Sequence, residues 1–229
     1  MNLELTSRRN VLRVGAVAAF GVLSQTSPAR AQQTPPPERK GPKPMDLDLV
    51  QYFVGACHRD LDTVKSILKR EPGVVNASFN RGGGDWERGM EAAAHMGRPD
   101  IADVLIAHKA RKCIFWAAMA GEESIVRAFV SADPETVNTG GAHNISLMAH
   151  AAICGKISLT QFLQDNGARV DNKSLEHAVR GNRIQMVEWL VESGANPGAK
   201  DIFGNFHYDT AEKRGFSEIA SFLKARAGV

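Results

Sequence analysis

The chain has 229 residues, 43% hydrophobic and 23% charged, proportions of a globular protein that exclude a disordered or collagen-like chain. Of its 28 basic and 25 acidic residues, four and one lie within residues 1–31, so the remainder balances at 24 of each and the main compositional argument for nucleic-acid binding falls away. Three scattered cysteines, Cys57, Cys113 and Cys154, exclude a disulfide framework and read as buried free thiols.

The first predicted element is a leader. Ser7-Arg8-Arg9-Asn10-Val11-Leu12-Arg13 places paired arginines before a hydrophobic pair and a further base. Ten apolar or small residues from Val14 to Leu23 follow, far short of the ~20 that a membrane-spanning helix needs. Ala29-Arg30-Ala31 then supplies a small-x-small cleavage pattern. The order resembles a twin-arginine export signal, with Arg8 and Arg9 as the signal pair and cleavage at Ala29 and Ala31; Val11 stands where that motif most often has phenylalanine. The resemblance implies a bacterial protein, exported folded to the periplasm or beyond, with no stable membrane insertion after cleavage. Residues 32–44 hold five prolines in thirteen positions and read as an extended linker.

From residue 45 to residue 229 one pattern recurs: a helix with a small-residue face, a tight turn, and an amphipathic second helix. Its turn positions fall at Asp60, Gly97, Gly121, Gly155, Asn182 and Gly215. Glycine and asparagine suit a positive φ there, and aspartate tolerates it. Small residues precede each turn: Ala56-Cys57, Ala93-Ala94, Ala117-Ala118, Ala151-Ala152, Ala178 and Ala211. Apolar stripes follow: Val64, Ile67 and Leu68; Ile101, Val104 and Leu105; Ile125, Ala128 and Phe129; Leu159, Phe162 and Leu163; Met186, Trp189 and Leu190; Ile219, Phe222 and Leu223. Asp100 is a candidate cap for its helix. One such pair cannot bury its own stripe, so the copies must stack. Polar Glu212, Lys224 and Arg226 mark the last copy as a cap.

The period and pattern resemble the ankyrin repeat, a unit of about 33 residues with two helices. The nearest match runs from Asp201 to Leu223, and Gly194-Ala195-Asn196 and Gly167-Ala168 follow the fifth and fourth pairs as the family's helix ending does. The family's Thr-Pro opening is absent, with Arg88-Gly89 and Phe206-His207 in its place. The resemblance implies an all-α solenoid of about six stacked helix-turn-helix units. It also implies protein–protein recognition through finger loops and a concave face. Turn spacings alternate between long and short. Residues 76–87, 133–146 and 196–206 therefore have room for fingers, the first two prominent, whereas the shorter connections have little left for one.

The candidate partner-binding residues lie on these loops: Asn80, Arg81, Asp85, Trp86 and Glu87 on the first, His143 and Asn144 on the second, Phe203 and Asn205 on the third. His95 joins them from an adjacent helix. Aromatic and arginine side chains are the strongest anchors. Trp86 fits either a binding surface or a packing role under its finger. Trp116, His150 and His177 occupy one slot of three successive copies and read as a buried polar row stacked on the indole.

Chemistry is sparse. The sequence has no His-Glu-x-x-His, Cys-x-x-Cys or Gly-x-Ser-x-Gly motif. Gly82-Gly83-Gly84 lacks the Lys-Ser/Thr of a phosphate-binding loop. His58 and His95 hold equivalent slots of successive copies and are expected to be neighbours, but two histidines fall short of a closed metal site. No catalytic residue, metal or cofactor is therefore assigned. The sequence reads as an exported scaffold or adaptor, a monomer that binds a protein partner and not nucleic acid. The alternative is a periplasmic metal-binding protein or enzyme using a histidine cluster.

Overall fold

In a computed structural model, residue 41 and residues 44–229 are described. Arg8, Arg9, Ala29 and Ala31, the rest of the leader and most of the linker lie outside the described residues. Among the described residues, twelve α-helices form six consecutive pairs. They are α1 (Leu47–Ala56) with α2 (Leu61–Arg70), α3 (Gly89–His95) with α4 (Pro99–Ala107), and α5 (Ile114–Ala120) with α6 (Glu123–Ala132). Then come α7 (Leu147–Cys154) with α8 (Ile157–Asp165), α9 (Asn172–Arg180) with α10 (Ile184–Glu192), and α11 (His207–Lys213) with α12 (Ser217–Ala227). No described helix is long and apolar enough to cross a membrane.

The odd-numbered helices pack in sequence, α1 on α3, α3 on α5, and so on to α11. Their alanines explain the closeness. Ala93, Ala94, Ala117, Ala118, Ala151, Ala152, Ala178 and Ala211 have no exposed surface, and a methyl group lets neighbouring backbones approach. The approach is tight where α3 begins. A Cβ on Gly89 would stand 2.7 Å from Cys57 Sγ. Cys57 itself is buried, and burial, with a smaller contribution from the Glu87 charge, pushes its thiol up to about 12. It is an inert core residue; Cys113 and Cys154 are half-buried.

The even-numbered helices bury one stripe each and leave the other face in water. Gly97, Gly121, Gly155, Asn182 and Gly215 all take positive φ at the turns within pairs. Asp60 does not. Its φ is −117°, and its carboxylate accepts the Thr63 amide and hydroxyl, capping α2. Asp100 also differs from expectation: α4 begins one residue earlier, and Asp100 instead holds the Arg98 guanidinium at 2.6 Å. In α6 the buried stripe is Val126 and Val130, while Phe129 is 48% exposed. Positions 125/129 and 126/130 have the same helical spacing, so periodicity cannot choose between them.

The long connections differ from one another. The first forms an antiparallel hairpin, β1 (Ser78–Asn80) with β2 (Trp86–Arg88). The second and third each close with a single bridge, Gly140 to Ser146 and Lys200 to Phe206. The fold is thus helical with one small hairpin, and the third loop is a tight turn rather than a hairpin. Residues 108–113 and 166–171 carry no finger. Asparagines tie the first two long connections each to the short one that follows. Asn76 donates to the Lys109 carbonyl and accepts the Arg111 amide, and Asn138 repeats this with Gly167 and Arg169. Each therefore satisfies two backbone groups of a segment that lacks its own ladder. At the far end Lys224 reaches Glu212 at 2.8 Å across an exposed face.

Trp116, His150 and His177 are buried on α5, α7 and α9. His150 Nδ1 donates to the Ser146 carbonyl at 2.8 Å, but its ring neighbour is Phe115, at a centroid distance of 4.9 Å, not the indole. Burial pushes His150 down to about 4 and holds His177 well below the usual imidazole range. The unfolded chain takes up these protons near pH 6.5, the folded chain near pH 4 for His150. Within that window the unfolded state binds more protons, so stability falls as pH falls. His150 alone is expected to account for on the order of 3 kcal/mol of this loss. Urea unfolding between those pH values measures it; a flat profile, or one unchanged by His150→Gln, overturns the assignment.

Candidate functional site

The candidate site is built where the first hairpin meets the second finger. In the hairpin, Gly82, Gly83 and Gly84 take φ of 114°, 61° and 86°. Three successive positive values are a path that side-chain-bearing residues rarely follow. Asn80 caps this turn, accepting the Gly82 amide at 2.8 Å. The register pairs Phe79 with Glu87, so Glu87 turns inward while Trp86, 58% exposed, turns outward.

Glu87, expected from the sequence on a partner-binding surface, has no exposed side-chain surface. Strand alternation is the reason: neighbouring residues of β2 face opposite sides. Its Oε2 accepts from Arg81 Nε at 2.6 Å. Its Oε1 faces three imidazole nitrogens: His95 Nε2 at 3.0 Å, His58 Nε2 at 3.1 Å and His143 Nε2 at 3.3 Å. Burial on its own would raise the carboxyl's pKa. The hydrogen bonds from His58 and His95, the charge of His58 and the Arg81 bond outweigh it and hold Glu87 well below the usual carboxylate range. His95, at the end of α3, is also buried rather than presented to a partner, and burial pulls its pKa down against the Glu87 bond.

The two fingers touch directly. Asp85 accepts the His143 amide at 2.9 Å on one oxygen and His143 Nδ1 at 2.8 Å on the other. His143 and Asn144 both take left-handed backbone conformations, φ 58° and 55°. Such positions cost roughly 1–3 kcal/mol for a residue like histidine. The conformation aims the His143 ring at Asp85 and Glu87. Between the fingers lies an open cleft of about 630 Å³, lined by Trp86, Glu91, Phe115 and Asn144 among others.

His58 and His95 are neighbours, with ring centroids 5.0 Å apart, and the structure adds His143 and Glu87 to them. One donor atom from each of these four residues lies within 4.8 Å of the rest. From the sequence only His58 and His95 are expected to meet, too few for a metal; His143 and Glu87 arrive from loops separated by 56 positions, and no motif spacing announces them. Phe203 and Asn205 stand apart on the third loop. Phe203 is 82% exposed, whereas the Asn205 amide and side chain both bond to Asp201 and shape the turn.

The family model for ankyrin repeats (3 copies) matches residues 114–201, from the start of α5 into the third loop. Ankyrin repeats are therefore present in this chain. The matched stretch includes the second finger and His143; His58, Glu87 and His95 precede it.

Replacing Glu87 by Gln keeps its shape but removes the charge that faces Arg81 and the histidines. A loss of roughly 1–3 kcal/mol is expected by chemical denaturation at neutral pH. Asp85→Ala, which touches only the finger-to-finger contact, is expected to cost under about 1 kcal/mol while accelerating hydrogen exchange at the His143 amide. Equal effects of the two changes would contradict the distinction between an interior anchor and a surface latch.

Proposed function

We propose that this protein is an exported, non-enzymatic binding module that recognises a protein partner through its finger loops and the adjoining concave face. Ankyrin repeats generally bind protein partners. In this reading the six helix pairs are six stacked repeats of a solenoid spanning about 50–60 Å, at roughly 10 Å per helix diameter. That length accommodates a standard interface of about 800 Å² per partner. The carrying observation is the exposure of large apolar side chains at finger positions: Trp86 at 58%, Ile202 at 80% and Phe203 at 82%. Aromatic groups left in water on a preorganised edge are the kind of anchor that dominates interface energies. The Asp85–His143 latch and the Asp201–Asn205 bonds support preorganisation, which lowers the entropy lost on binding. A scaffold or adaptor acting as a monomer is the role that fits.

Export rests on the leader. The Arg8-Arg9 motif, the short apolar run and Ala29-Arg30-Ala31 support passage of the folded protein to the bacterial periplasm. A core with free thiols and no disulfide suits folding in a reducing compartment before transit.

Affinity capture from a periplasmic extract tests the binding reading, using the tagged full chain beside a Trp86→Ala/Phe203→Ala variant. Both side chains are exposed and lie outside the histidine cluster. The expected result is a stoichiometric protein held by the parent and weakened at least about tenfold by the double change. A partner retained equally by both overturns this placement of the surface. For export, Arg8→Lys/Arg9→Lys is expected to leave unprocessed protein in the cytoplasm, measured by fractionation; unchanged processing overturns the twin-arginine route.

A further inference from the structure

Four side chains converge on one point from four segments: the turn after α1, strand β2, the end of α3 and the second finger. Their donors match in chemistry as well as position. His58 Nδ1 lies 2.9 Å from the Val54 carbonyl, and His143 Nδ1 lies 2.8 Å from the Asp85 carboxylate. Both outer groups can only accept, so each ring carries a proton on Nδ1. The Nε2 atoms then point inward, toward Glu87 Oε1, and an ion seated there would take the place of the protons between them. This outer bonding, one ring to a backbone carbonyl and one to a carboxylate, is how proteins orient imidazoles that ligate metals. Arg81 occupies Glu87 Oε2 and leaves Oε1 for the centre.

We propose that His58, Glu87, His95 and His143 form a binding site for one divalent transition-metal ion of the zinc type. Three imidazoles with one carboxylate suit zinc, cobalt or nickel; calcium and magnesium demand all-oxygen shells. A tetrahedral ion with bonds near 2.05 Å sets its ligands about 3.3 Å apart. The three nitrogens stand 3.0, 3.1 and 3.3 Å from Glu87 Oε1. Ring centroids are 5.0 Å apart for His58–His95, 5.3 Å for His95–His143 and 6.4 Å for His58–His143. Seating the ion requires a small inward shift of His143. That residue is on the exposed finger and has the most room to move, and the cleft beside it is the entry path. Four protein ligands make this a closed, structural site. Its effect is to join the two fingers to α1 and α3, so the ion sets the shape of the edge on which Trp86 stands. The site stands independently of the partner-binding reading.

The test uses the full chain, stripped with chelator and titrated near neutral pH with Zn²⁺ by calorimetry and with Co²⁺ by visible absorption. One ion per chain is expected, with the intense bands of four-coordinate Co²⁺. Unfolding midpoints should rise by about 5–10 °C at a hundredfold excess over Kd. His143→Ala removes a ligand from an exposed loop and should weaken binding by at least about tenfold; Asp85→Asn keeps every ligand and should weaken it by about tenfold through loss of orientation. His108→Ala, an exposed histidine outside the cluster, should change nothing. Circular dichroism checks that each variant remains helical. Uptake weaker than about 100 µM in the parent overturns the site. So does uptake that His143→Ala and Asp85→Asn both leave intact, or that His108→Ala abolishes.

Discussion

The Glu87 carboxylate is cut off from water, and an ionised carboxylate in that position needs donors on every lone pair. Arg81 serves one oxygen, and His58, His95 and His143 surround the other. Those residues belong to the turn after α1, the hairpin, α3 and the second finger. A single interior charge thus holds four segments that are distant in sequence. If Glu87 were outward-facing, the hairpin would be an ordinary surface excursion, and Asp85 would be the only side chain of the hairpin bonded to His143.

The alanine-lined inner helices make this arrangement reachable. Neighbouring odd-numbered helices approach closely because their contact residues are methyl groups, and at Gly89 even a methyl group would collide with Cys57. This brings the His58 turn and the His95 helix end within one ring contact of each other. The fingers then close over the pair from outside. Packing in the core and geometry at the edge are one problem: the distance between histidine rings is set by the distance between helix backbones.

Much of the helical architecture was legible because it repeats. Six turn positions, small residues before each and an apolar stripe after each carry the helix pairs, and five of the six turns take the positive φ that glycine or asparagine implies. The neighbourhood of His58 and His95 was legible for the same reason, since equivalent slots of stacked copies must meet. Glu87 and His143 were not. Their meeting depends on a hairpin register and a left-handed loop, neither of which has a periodic signature, and on a contact spanning 58 positions between Asp85 and His143. The α6 stripe was ambiguous because two overlapping apolar pairs share one spacing. Asp60 misled because aspartate serves both as a turn residue and as a helix cap. The asparagine ladder of Asn76 and Asn138 had no visible signal beyond the recurrence of Asn after Pro-x-x-Val.

The short segment 108–113 links α4 to α5 without projecting a loop of its own. Its brevity leaves an unobstructed gap between the first finger and the second, and Asp85 reaches His143 across it. That segment therefore acts as a spacer whose length is information. Two extra residues there would raise a wedge between the fingers and part the cluster without altering any of its members. The equally short 166–171 segment has no such contact above it, so in this chain the tolerance to insertions is unequal at two places that look alike in length.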